Sequence, residues 1–216
     1  MTRHRVPLLR RAVTCFQAQT YARRELLLLY ESDDTATRDY VATLQDPAIR
    51  TVEVPAVPKL PLGTLRNLAI DAARGACIAQ WDDDDWHSPA RLQAQVQALR
   101  AHGRPGCVLY RWLLYDAVER RAYVSGQRAW EGSLLARREE VTPYPALQRL
   151  EDTPVVEAMF MQNMLVCLDV PELYVYIYHG ANTWDEAHWR QQVLPYATPV
   201  PAQVLQQIEH VLGVSG

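Results

Sequence analysis

The stretch that most constrains this chain is Trp81-Asp82-Asp83-Asp84-Asp85-Trp86, four carboxylates set between two indoles at the end of an apolar run, Ala76–Trp81. Like charges at this spacing repel, and the flanking rings limit solvation, so the cluster is costly unless cations or hydrogen-bond donors compensate it. In an extended turn, side chains two apart point the same way, which gives Asp82 and Asp84 a common face. Carboxylate oxygens in such a pair suit Mg²⁺ or Mn²⁺, ions that take one or two protein carboxylates and leave other positions to phosphate oxygens. A solvated acidic loop feeding charge into a helix start near Ser88 is the plainer alternative, and the two tryptophans disfavour it.

Helical and strand-like patterns alternate through the first half, as in an α/β sheet with largely parallel strands and helices on both faces. Pro7 with Leu8, Leu9, Ala12, Val13 and Phe16 predicts a first helix ending near Gln19. Glu25–Tyr30 and Ile49–Val54 read as strands, and Thr35–Leu44 as the helix between them. Leu65, Leu68, Ala69 and Ala72 form a helical stripe that Gly75 stops. Ser88 is the expected N-cap of a helix with Pro89 in its first turn and Gly103 at its end. Beyond it, Cys107–Leu114, Ala122–Val124, Gly132–Ala136 and Leu173–Tyr178 read as strands. Thr153–Asn163, Asp185–Val193 and the tail from Pro199 read as helices.

In open α/β sheets, ligands gather at the carboxyl ends of strands, which is where the aspartates lie. The 216 residues, 49% of them apolar, suffice for one such domain. The longest aliphatic run, Leu26–Leu29, is far short of a membrane span, and a cytoplasmic setting is expected. Cys15, Cys77, Cys107 and Cys167 are too scattered to indicate a zinc site or a disulfide framework. No acidic residue precedes Glu25, yet the formal charge is -3 overall and no aromatics interleave the N-terminal arginines, so nucleic-acid binding is not expected.

The ordered run from Arg66-Asn67, through Gly75 and Asp82-Asp83-Asp84-Asp85, to Pro89 and Leu92 resembles the centre of family 2 glycosyltransferases. Gln19-Thr20-Tyr21 with Glu25-Leu26 is similar to that family's join between first helix and second strand. The resemblance implies a GT-A fold with a Rossmann-like, mostly parallel sheet. It also implies a nucleotide-diphosphosugar donor, a divalent Mn²⁺ or Mg²⁺ ion, and inversion at the anomeric carbon. Residues 1–198 would form the domain, 1–115 its nucleotide-binding half and 116–198 its acceptor half, with 199–216 a helical tail. The acceptor, whether a sugar, a lipid-linked molecule or a protein, is not legible.

Carried across, Asp82, Asp83 and Asp84 match the aspartate motif, Asp82 toward ribose and metal, Asp84 toward the metal. Glu31 falls where the family places a base-contacting Asp. Arg66 and Asn67 match a pair near the nucleotide, and a helix-start role fits them equally. Glu151-Asp152 matches an acidic pair before a helix. An inverting transfer needs a base to accept the acceptor's hydroxyl proton, a role expected of Asp152 with Glu151 assisting, while capping the helix at Thr153 is the competing reading. His179 is a candidate metal ligand or a structural histidine, and Trp81, Trp130 and Trp184 are candidates for stacking on a ligand or for packing. Thr2–Arg5 is similar to the turn after the family's first strand, so that strand is expected to be missing and the true start to lie upstream. Two further functions stay open: a degenerate domain that binds a nucleotide sugar or a partner without turnover, and a metal-dependent nucleotidyl- or phosphotransferase.

Overall fold

A computed structural model describes residues 2–214. The elements in chain order are α1 (Val6–Gln17), β1 (Leu26–Glu31), α2 (Thr35–Ala42), β2 (Ile49–Val54), α3 (Leu62–Ala72), β3 (Cys77–Ala79), β4 (Trp86–His87), α4 (Arg91–His102), β5 (Gly106–Leu109), β6 (Leu113–Asp116), β7 (Arg121–Val124), β8 (Leu135–Arg137), α5 (Thr153–Met161), β9 (Leu165–Leu168), β10 (Tyr174–Tyr178), α6 (Glu186–His188), β11 (Thr198–Pro199) and α7 (Ala202–Leu212). The result is a mixed α/β architecture whose strands form three sheets, ordered β1-β2, β3-β8-β5-β9 and β11-β7-β6-β10-β4. The β1–β2, β5–β9 and β6–β10 ladders are parallel; those of β8 with β3 and β5, of β7 with β6 and β11, and of β4 with β10 are antiparallel.

Sequence periodicity accounts for most of these elements. Leu9, Ala12, Val13 and Phe16 bury one face of α1 against Leu26, Leu28 and Tyr40, with Pro7 in its first turn. Asp34 accepts from Thr37 N at 3.0 Å and so caps α2. Gly103, at φ 65°, ends α4 in the left-handed region that a glycine enters without steric cost. The tail helix α7 packs Ile208 onto Tyr115, Val175 and Ile177, while Glu209 accepts from Tyr115 Oη at 3.2 Å and Arg120 Nε at 2.8 Å. Residues 215–216 of the expected tail lie outside the described residues. Among the described residues, no helix is long and apolar enough to cross a membrane.

The segment 107–114, which reads as a strand, is not one strand. It is broken at Tyr110–Trp112, so that β5 joins β8 and β9 while β6 joins the sheet of β7 and β10. The break falls around Arg111, the one charged residue of the segment, which turns outward to pair with Asp169 at 2.8 Å. Among the described residues β1 pairs only with β2 and β3 only with β8, so the β1-β2 ladder and the β3-β8-β5-β9 sheet are separate. Thr2 N donates to Leu29 O of β1 at 3.2 Å.

Ser88 does not cap α4. The helix starts at Arg91, and the N–H of Leu92 is taken by the side-chain oxygen of Gln19, 3.0 Å away. Gln19 Nε2 donates to Cys15 O at 3.1 Å and Ser88 O at 2.6 Å, and Thr20 N donates to Pro89 O at 2.9 Å. The Gln19-Thr20 pair therefore ties the end of α1 to the start of α4, directly after the acidic turn. Gln19 is buried, so Gln19→Ala strands polar groups that water cannot reach, and we expect a loss of about 1–3 kcal/mol, read as a lower urea midpoint.

Candidate active site

The carboxyl end of β3 runs into Asp82–Asp85, and these four aspartates line a cavity of about 330 Å³. Arg5, Arg66, Gln80, Glu131, Gly132, Glu151 and Asp152 line it too, together with Trp112, Trp130 and Trp184. Gly132 leaves room for the aspartates, since a Cβ there would lie 3.0 Å from Asp82 Oδ2 and 3.0 Å from the Trp112 ring.

The turn is braced from beneath by a buried polar network that the sequence analysis did not identify. Arg91, fully buried, donates to His87 Nδ1 at 2.7 Å, Gln95 Oε1 at 3.1 Å and Gln80 O at 3.0 Å. Burial, and then the neighbouring Arg91, hold the His87 pKa well below its usual value, so the imidazole is neutral and accepts from Arg91. Trp81 packs on the His87 ring at 3.9 Å and donates to Ala12 O at 3.3 Å, which makes it part of the brace. Asp85 points inward, accepting from Ile177 N at 2.9 Å and from Tyr174 Oη at 2.5 Å. Burial, with Asp84 and Asp82 close by, raises its pKa well above the usual carboxylate range.

Arg66 joins the carboxylates across the cavity. Its Nε donates to Glu151 Oε1 at 2.7 Å, and its Nη2 lies 4.0 Å from Asp82 Oδ1 and 3.8 Å from Asp152 Oδ2. Burial alone would favour the neutral guanidine, yet Asp82 and then Glu151 outweigh it and raise the Arg66 pKa. Asp152 stands at the N-cap of α5 but makes no capping hydrogen bond; its Oδ2 instead accepts from Gln80 Nε2 at 3.2 Å. The carboxylate is thus turned away from the helix it precedes and toward the cavity.

Asp84 carries two cationic or hydrogen-bonding neighbours, Arg5 Nη1 at 3.2 Å and His179 Nε2 at 3.5 Å from its Oδ2. Burial works against its charge, but the His179 hydrogen bond and Arg5 prevail and lower its pKa. His179 reaches the turn from the end of β10, with Nδ1 accepting from Ala181 N at 3.3 Å. Among the described residues no three His, Cys, Asp or Glu side chains converge tightly enough to enclose an ion. Asp84 and His179 offer one corner of a coordination sphere, with Asp82 alongside. That donor set suits Mg²⁺ or Mn²⁺ completed by phosphate oxygens and water, not a closed all-protein cage. Gln80 Oε1 is buried at this wall with no hydrogen-bond partner among the described residues.

Two sequence candidates, Glu31 and Asn67, lie outside the cavity. Glu31 is 1% exposed, held by Arg3 Nε at 2.8 Å with Lys59 Nζ at 3.8 Å, and does not line the cavity. Asn67 spends its amide on the backbone of Tyr144 and does not line it either. Trp130 stacks with Trp112 at 4.9 Å beneath the Arg128 guanidinium, and Trp184 stacks with His188 at 4.6 Å beneath Arg149. Tyr144, which the sequence analysis passed over, is buried beside Arg66, and burial raises its pKa to about 12.

Desolvation, only partly offset by Arg66, raises the Asp82 pKa to about 6. A carboxyl whose folded pKa exceeds its unfolded value contributes stability below the unfolded pKa and loses it as pH rises through the folded one. Asp82→Asn abolishes that loss. In metal-free protein we expect its melting temperature to exceed the wild-type value near pH 8 and to converge with it toward about pH 4, as followed by thermal unfolding.

The sequence model of Glycosyl transferase family 2 matches residues 1–160. No curated protein matches the chain. Among solved structures it is similar to S. aureus TarS 1-349, with TM-score 0.61 and 13% identity over 82% of this chain and 58% of that one. The same protein in complex with UDP gives 0.62 and 12% over 82% and 58%, and in complex with UDP-GlcNAc 0.62 and 12% over 79% and 54%. The chain spans a little over half the length of these structures, and at such identity the likeness is one of fold, the GT-A glycosyltransferase architecture. With the family model covering well over half of its residues, the chain belongs to glycosyl transferase family 2.

Proposed function

We propose that this domain transfers a sugar from a nucleotide-diphosphosugar to an acceptor hydroxyl with inversion, assisted by Mn²⁺ or Mg²⁺. The observation that carries the reading is Asp152: a carboxylate at a helix start that leaves the helix uncapped and turns to Gln80 and Arg66, across the cavity from Asp82. Asp84 and His179, with Asp82, would hold the ion. When bound, the ion neutralises the diphosphate and so improves it as a leaving group. Asp82 and Asp83 face the ribose side of the donor. Asp152 takes the acceptor's proton as that oxygen bonds to the anomeric carbon and the bond to the diphosphate oxygen breaks. Arg66 fixes Asp152 and Glu151 for that step. The similar structures of TarS in complex with UDP and with UDP-GlcNAc make uridine diphosphosugars the first donors to test.

A second reading has its own support. Arg5 places a guanidinium 3.2 Å from Asp84 Oδ2, a resident cation at the proposed metal corner, as in a domain that binds a nucleotide sugar without turning it over. Incubation with uridine diphosphosugars and Mn²⁺ separates the two by release of nucleoside diphosphate. We expect slow donor hydrolysis or transfer that Asp84→Ala abolishes, and a fall of about 10²–10⁴ in kcat for Asp152→Asn with donor binding retained. Donor binding without release under any condition would establish the binding domain instead.

A further inference from the structure

Three residues on one face of α3, Gly63, Arg66 and Asn67, all meet the irregular segment that leads into Glu151 and Asp152. Their i, i+3, i+4 spacing makes them neighbours on the helix surface. Asn67 Nδ2 donates to Tyr144 O at 2.9 Å, and Tyr144 N donates to Asn67 Oδ1 at 2.9 Å, so one side chain satisfies both backbone groups of that residue. Gly63 N donates to Leu147 O at 3.1 Å, and the contact is so close that a Cβ on residue 63 would lie 1.8 Å from Pro145 O. Arg66 closes the far end through Glu151. Residues 141–152 contain no helix or strand, so these contacts take the place of a ladder.

Within the clamped segment, Leu150 has φ 60°, a left-handed conformation that is unfavourable for a branched, non-glycine residue. Its side chain is 54% exposed, so its own packing does little to hold it there. The conformation persists because the chain is fixed on both sides, at Tyr144 and Leu147 before it and at Glu151 after it. It also sets the direction in which the chain enters α5, and with it the placement of Asp152 beside Gln80.

We propose that Asn67 is a positioning residue for the transfer: by gripping the Tyr144 backbone it keeps Leu150 left-handed and Asp152 directed into the cavity. The inference rests on Asp152 serving as the base, as argued above. It removes Asn67 from the nucleotide's contacts and places its effect on turnover.

The test compares wild type, Asn67→Ala and Asn67→Ala/Leu150→Gly for turnover of uridine diphosphosugars with Mn²⁺, and for trypsin cleavage after the exposed Arg149, followed by mass spectrometry. For Asn67→Ala we expect kcat to fall about 10- to 100-fold with donor KM within about twofold, because the base is displaced and the donor site is not. Cleavage after Arg149 should quicken about tenfold or more as the segment opens more often. Adding Leu150→Gly should recover at least about threefold in kcat, since glycine enters the left-handed region without cost. Because a left-handed glycine also stabilises the fold as a whole, kcat is compared at a temperature where thermal unfolding shows all three proteins fully folded. If Asn67→Ala unfolds, Asn67→Asp, which keeps an acceptor for Tyr144 N, replaces it. Turnover within twofold of wild type, a loss confined to donor KM, or a kcat loss that Leu150→Gly does not relieve overturns the proposal. An inactive wild-type protein overturns the transfer reading, and unchanged cleavage in Asn67→Ala would then overturn the clamp as well.

Discussion

Carboxylates drawn from two distant parts of the chain to one cavity repel one another unless cations are drawn in with them, and the Arg66 guanidinium is where that requirement is met. It bonds Glu151 and approaches both Asp82 and Asp152, while Arg5 and His179 attend Asp84 on the other side. The compensation is incomplete: the Asp82 pKa is raised to about 6, and that of Asp85 well above the usual range. Burial is the larger cause of both shifts and the neighbouring aspartates the smaller, so charge on this turn is disfavoured by desolvation first and by repulsion second.

The energetic cost of such a site falls on the surrounding fold. Arg91, His87 and Gln95 spend hydrogen bonds beneath the turn, and Gln19 welds α1 to the start of the helix that follows it. Each is a buried polar group that stabilises little in net terms when satisfied and costs much when left alone. Together they make the position of the aspartates depend on residues from α1, α4 and the segment around Gly132. Tyr174 and Ile177 extend that dependence to β10, the strand whose end delivers His179.

The acidic turn was legible because four adjacent aspartates have few inexpensive explanations, and the helices were legible because their apolar faces repeat. Roles set by contacts far apart in sequence were not. Glu31 follows an apolar strand just as a ligand-facing carboxylate would, and its ion pairs with Arg3 and Lys59 leave no mark in the sequence. Asn67 sits beside Arg66 in sequence, yet one helical step turns it from the cavity to the Tyr144 backbone. Asp152 reads in the sequence both as a base and as a helix cap, and nothing there records that its side chain makes no capping bond and turns to Gln80. Gly63 gave no signal at all, since a tight approach of helix to loop leaves no pattern in either segment.

The tryptophans of the cavity bear on what it can recognise. An indole that stacks on a sugar must present a free face, and here Trp130 is engaged by Trp112 and Arg128, and Trp184 by His188 and Arg149. Cation–π contacts of this kind stiffen long, flexible side chains, and Arg128 and Arg149 consequently reach the cavity with their guanidinium groups already directed. The cavity presents four arginines, Arg5, Arg66, Arg128 and Arg149, among seven carboxylates, Asp82–Asp85, Glu131, Glu151 and Asp152. Such a lining is charged throughout, and the aromatic residues contribute to it by holding two of the arginines, Arg128 and Arg149, in place.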